Sequence, residues 1–248
     1  MYNVHVNLGK FSQEELDRII RGSSQFKRLS KRIDFLSKQF LNVDYVESTL
    51  TGDVETPEVF VVNLKGVDCF TFIDYIEAMR LSHSFSEFMA NLKKVRYKSG
   101  NIAFEDRNHF FTDWREFHSD IVADVTEDIG AQKTLRVQKI LNKKEDGTFY
   151  LPGIRPLQRE VTYIPSDAVT DPLLKKLRTG DYAGIYSRLQ GLDVSHIGII
   201  IKGGDAVYLR HASSLKKYRK VVDQDFKRYI VNKPGIIVLR PKTRRKSP

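Results

Sequence analysis

The apolar residues of this chain change their spacing part-way along it. Up to about residue 117 most recur at helical intervals, whereas from about residue 134 they fall in short β-branched runs broken by Gly, Pro and Asp. Helices first and strands later points to an α+β fold in which helices pack on an antiparallel sheet. In "FSQEELDRII" Ser12 and Glu15 have the spacing of a capping box, and a second helix is predicted from about 25 to 41. "EVFVVNL" (58–64) reads as a buried strand. "SFSEFMANLKKVRY" repeats the cap pattern with Ser84 and Glu87. "FEDRNHFFTDWREF" (104–117) reads as a loop from which Thr112 or Asp113 caps a helix starting near Trp114. The strand segments are 134–141, 159–164, 181–187, 194–201, 205–213 and 235–240. The expected organisation is one domain over 1–240, with a helical part at 1–57 and a core at 58–240, followed by a basic tail at 241–248.

The only cysteine stands in "GVDCFTFIDYIEAM" (66–79), where a turn gives way to apolar residues at helical spacing: Phe70, Phe72, Ile73, Ile76 and Met79. Cys69 is therefore predicted at the first turn of a helix. The unpaired N–H groups and positive dipole end there favour a thiolate, and a first-turn amide is available in principle to an oxyanion. A free cysteine is also a small core hydrophobe, so the position alone leaves both readings open.

A thiolate nucleophile needs a base and a third group that orients the base. Of the six histidines, His196 opens the strand "DVSHIGIII" and His211 ends "AVYLRHASS". If these strands form a hairpin through "KGGD" (202–205), the two histidines lie toward the same end of the sheet. A zinc hydrolase built on His109, His196 and His211 would lack the H-x-x-x-H spacing that metal sites on helices show.

With 41% hydrophobic residues the chain can bury a full core. One cysteine excludes an internal disulfide and a cysteine-rich zinc site. The formal charge of +10 would suit an anionic polymer, so a non-catalytic binding module is an alternative. The excess sits in the tail "RPKTRRKSP" and on a helix face at 25–40 without a nucleic-acid motif, so no nucleic-acid partner is expected. No run approaches the ~18 apolar residues of a membrane helix, and "MYNVHVNLGKFSQEEL" lacks a signal peptide's apolar region.

Taken together, "VDCFTFIDYIEAM", "RNHFFTDW", "GDYAGIYS", "GLDVSHIGIII" and "LRHASS" resemble the N-acetylmuramoyl-L-alanine amidase-like branch of the NlpC-type cell-wall cysteine peptidases, a papain-like superfamily. The resemblance spans about residues 58 to 240. It implies a cysteine helix packed on an antiparallel, barrel-like sheet, with Cys69 as nucleophile, His196 as general base and His211 as orienting residue. It implies substrate contacts from Arg107, Asn108, His109 and Trp114, the last as a sugar platform, and a cleft lined by Asp193 and Ser195.

The implied reaction is hydrolysis of the amide joining (1,6-anhydro-)N-acetylmuramic acid to L-Ala of the stem peptide, in peptidoglycan turnover or recycling. The alternative within the superfamily is an endopeptidase cutting after D-Glu. No metal or other cofactor is implied. The expected partners are soluble muropeptides, with no integral membrane association and a monomeric enzyme. The family implies the bacterial envelope or periplasm, while the absent signal leaves the cytoplasm open.

Overall fold

Ser12 caps α1 (Gln13–Ser24) as its spacing from Glu15 predicts: its hydroxyl accepts from the Glu15 amide and the Glu15 carboxylate accepts from the Ser12 amide. The computed structural model describes residues 3–243. It divides into two compact units, one running to Asn108 and including Arg210–Asp223, the other formed by His109–Leu209 and Gln224–Lys242. Of the basic tail expected at 241–248, residues 244–248 lie outside the described residues.

The first unit holds α1, α2 (Leu29–Lys38), α3 (Cys69–Arg80) and α4 (Phe85–Arg96). Two short parallel pairs accompany them. β1 (Val4–Asn7) lies along β3 (Phe60–Asn63), and β2 (Asp44–Tyr45) lies along β4 (Gly66–Val67). The strand expected at 58–64 therefore exists but pairs with β1 in a two-stranded sheet of its own. Phe40, in the turn that follows α2, meets Phe72 edge-on at 5.7 Å and stacks on Tyr75, so this turn and α3 share an aromatic core.

Helix α3 departs from an amphipathic pattern, because every residue from Thr71 to Arg80 is buried. Its charged positions are carried by ion pairs: Asp74 accepts from Arg96 Nε at 3.0 Å, and Glu77 pairs with Arg80. Arg96 Nη1 also donates to the Val61 carbonyl, and its guanidinium lies 5.4 Å from the Tyr75 ring. Asp74 Oδ1 and Arg96 Nη2 have no hydrogen-bond partner among the described residues. Burial, with the Arg96 charge opposing it, pushes Asp74 up to about 6.

The second unit contains α5 (Asp113–Phe117), β5 (Val122–Asp124), α6 (Thr126–Gly130), β6 (Leu135–Leu141), β7 (Leu157–Pro165), α7 (Asp171–Lys176), β8 (Tyr182–Tyr186) and β9 (Val194–Gly203). β10 (Ala206–Ala212) and β11 (Val221–Asp225) are divided between the units, with Arg210–Ala212 and Val221–Asp223 in the first, and α8 (Phe226–Ile230) and β12 (Gly235–Pro241) complete the second. The large sheet has the strand order β11-β10-β9-β8-β12-β7-β6, with β5 also on β12. The expectation of an antiparallel sheet holds, but that of a barrel-like one does not: the sheet is open, ending at β11 and β6, which do not pair.

Helix α5 starts where "RNHFFTDW" predicts, yet without the predicted cap bond. Asp113 turns back to accept from the amides of His109 and Phe110, and Thr112 Oγ1 is engaged by Asp193 and Arg159. The aromatic pair in that segment packs inward. A Cβ at Gly184 on β8 would stand 2.6 Å from the Phe111 ring and 2.7 Å from Val194 Cγ1. Gly184→Ala is expected to destabilise the protein by about 1–3 kcal/mol through overpacking, read from the urea midpoint at unchanged m-value.

Candidate active site

Cys69 is the first residue of α3, half-buried and free of disulfide. Asp68 forms the N-cap: its Oδ1 accepts from the amides of Phe70 (2.9 Å) and Thr71 (2.7 Å), while Thr71 Oγ1 accepts from the Asp68 amide. The helix start is thereby locked. The same cap engages the Phe70 and Thr71 amides, so neither is available to an oxyanion, and the expectation of a first-turn donor narrows accordingly.

A group not apparent in the sequence stands near this thiol. Tyr45 pairs with Val67, two residues before Cys69, in the β2–β4 ladder. Burial and then the negative charge of the Cys69 thiolate push the Tyr45 hydroxyl up to about 12, so at neutral pH it stays protonated and can donate. The Arg219 guanidinium lies 4.9 Å from the Tyr45 ring. No sequence signal marks Tyr45, because its strand is two residues long and its partner is reached by a parallel pairing.

His196 lies in β9, half-buried, with its ring 6.4 Å from that of Tyr229. The β8–β9 register changes here: Ile185 faces His196 while Tyr186 faces Val194, which leaves Ser195 as a bulged, exposed residue. His211 lies in β10 and is buried. It belongs to the same unit as Cys69, beside Arg210, whose guanidinium is held by Asp34, Ser37 and Asp223.

Four residues expected at substrate have partners within the protein. Trp114 is fully enclosed and meets Tyr182 edge-on at 5.2 Å, so it offers no open face to a sugar. Arg107 pairs with Glu58, which also accepts from Tyr97, and so already holds an internal carboxylate. Asn108 is buried, donating from Nδ2 to the Val95 carbonyl. Asp193 is buried as well: Oδ1 accepts from the Val194 amide, and Oδ2 accepts from the Thr112 amide and hydroxyl at 2.7 and 2.8 Å. Desolvation pushes its carboxyl upward. His109 and Ser195 retain exposed surface. Among the described residues no group of three or more His, Cys, Asp or Glu side chains is placed to hold a metal ion, and no helix is long and apolar enough to cross a membrane.

Residues 35–236, which include Cys69, His196 and His211, match the family described as AmiA-like, N-acetylmuramoyl-L-alanine amidase-like. The chain belongs to this amidase-like family. A crystal structure of an N-acetylmuramoyl-L-alanine amidase from Bacteroides uniformis is similar at 26% identity, with a TM-score of 0.67 over 92% of this chain and 99% of that one. Protein LPG0564 of Legionella pneumophila shares the fold, with a TM-score of 0.79 at 22% identity over 93% of this chain and 94% of that one. No curated protein matches the sequence.

Proposed function

We propose that this amidase-like protein is a cysteine hydrolase of the NlpC, papain-like type that cleaves the amide between (1,6-anhydro-)N-acetylmuramic acid and L-Ala of the stem peptide. The observation that carries the reading is Cys69 at the capped start of α3 inside the span that matches the amidase-like family. The likeness to the Bacteroides uniformis amidase over nearly all of both chains supports the choice of bond.

In this reaction the Cys69 thiolate attacks the lactyl carbonyl, and the Tyr45 hydroxyl, a donor at neutral pH, supports the negative charge that develops. His196 protonates the departing amine of L-Ala. Water, deprotonated by the same imidazole, then hydrolyses the thioester and frees the thiolate. His211 orients His196 by fixing its tautomer. The half-buried His109 and the exposed Ser195 are the remaining expected residues with surface to offer a substrate.

Mass spectrometry of a muropeptide mixture that includes anhydro-muramyl species tests the bond. Release of intact anhydro-disaccharide and free stem peptide, unaffected by a chelator, is the expected result. Cleavage after D-Glu would retain the thiol mechanism and replace the substrate bond, and a silent wild type would overturn the reading.

A further inference from the structure

Lysine is among the residues least often enclosed in a protein, yet Lys139, in β6, is 8% exposed. Its ammonium points at main chain. Nζ donates to the carbonyls of Ser187 (2.5 Å), Leu192 (2.7 Å) and Leu189 (2.9 Å), so all three of its N–H groups have acceptors. It also lies 4.8 Å from the Tyr186 ring, which stacks on Tyr163 at 3.8 Å.

The three carbonyls belong to one connection, residues 187–193 between β8 and β9. Its side chains at 188–190 are exposed while its carbonyls turn inward, the arrangement of a small cation site. The foot of the loop is closed by the Ser187 amide donating to the Asp193 carbonyl at 3.0 Å. Beyond it the bulge at Ser195 begins, and the next residue is His196. In a strand, a slip of one residue turns every side chain to the opposite face. His196, paired with Ile185, is the first residue of the regular β8–β9 ladder after that bulge, so the path of 187–193 bears on where the ladder, and with it His196, begins.

We propose that Lys139 is a positioning residue, a tethered cation that fills a three-carbonyl cage and so holds the bulged start of β9 in the register that presents His196. The inference rests on the reading of His196 as general base, but the placement of His196 is measurable without substrate. Without the ammonium, three desolvated carbonyl dipoles converge on one point with no donor, and the loop relaxes outward to hydrate them.

The experiment compares wild type, Lys139→Met and Lys139→Ala by NMR of ring-labelled histidine, alongside steady-state kinetics. Lys139→Met keeps the stem over Tyr186 and removes the charge; it is expected to shift the His196 ring signals and its titration, and to lower kcat about tenfold to hundredfold with KM within about twofold. In Lys139→Ala, added n-propylammonium is expected to return the His196 signals toward wild type, and n-propanol is not. Unmoved His196 signals in a folded Lys139→Met protein would overturn the proposal. A silent wild-type enzyme would count against the amidase reading alone, since the NMR comparison stands without turnover. If neither variant folds, amide exchange in the wild type decides. Protection of Ser187 and Val194 comparable to β8 supports the cage, and exchange as fast as in an open loop overturns it.

Discussion

Cys69→Ala is expected to abolish turnover of muropeptides, by on the order of 10⁴-fold or more in kcat, because nothing else at the head of α3 supplies a nucleophile. The fold should survive. Cys69 is only half-buried, and the capping bonds at the helix start are made by Asp68 and Thr71, which the substitution leaves in place. Intact-mass analysis after brief exposure to substrate, together with melting curves, checks both halves. A wild-type sample should show an acyl-enzyme mass that the variant lacks. Retained hydrolysis in a protein confirmed to carry alanine would remove the thiol from the mechanism.

The second large effect lies under the same helix. Asp74→Ala leaves the Arg96 guanidinium buried with its counter-charge gone, and is expected to cost about 3–5 kcal/mol, lowering Tm by roughly 6–20 °C. Replacing both partners together, as Asp74→Leu with Arg96→Met, is expected to recover most of that loss, since a desolvated pair contributes little net stability over an apolar one. The wild type carries a pH signature of the same site. Asp74 sits near 6 in the fold against 3.8 for the ordinary carboxyl, so the folded state binds the proton more tightly. Its contribution to stability is full below about pH 4 and is lost as pH rises through about 6. Urea unfolding of wild type and Asp74→Asn across pH 4 to 7 checks this, and the variant should lack that fall. A flat wild-type profile would mean that Asp74 stays charged in the fold at a cost the ion pair fully offsets.

What could be read from the residues alone was whatever depends on near neighbours. The Ser12–Glu15 cap, the start of α3 at Cys69 and the β8, β9, β10 and β12 segments all rest on spacings of two to four residues, and each is found within a residue or two of its predicted place. The family was legible for a related reason: several short motifs in a fixed order carry it, and residues 35–236 match it.

The surroundings of the expected substrate residues were less legible. Arg107, Asn108, Trp114 and Asp193 are residue types that often meet ligands, and nothing local reveals that Glu58, the Val95 carbonyl, Tyr182 and Thr112 take those contacts first. Tyr45 and Lys139 were missed for the converse reason. One owes its position to a two-residue parallel pairing and the other to carbonyls some fifty residues away, at Ser187, Leu189 and Leu192.

The sequence by itself determined where the capped helices and the main sheet strands begin, which residue is the lone thiol and which family the chain joins, since periodicity, caps and motif order are local quantities. Only the tertiary structure decided that α3 buries Asp74, Glu77 and Arg80, that the sheet stays open, and that Lys139 serves as a cation for main-chain carbonyls. The physical reason is that burial reverses the preference of a charged or polar group: in water its type predicts its place, whereas inside the fold its partners do.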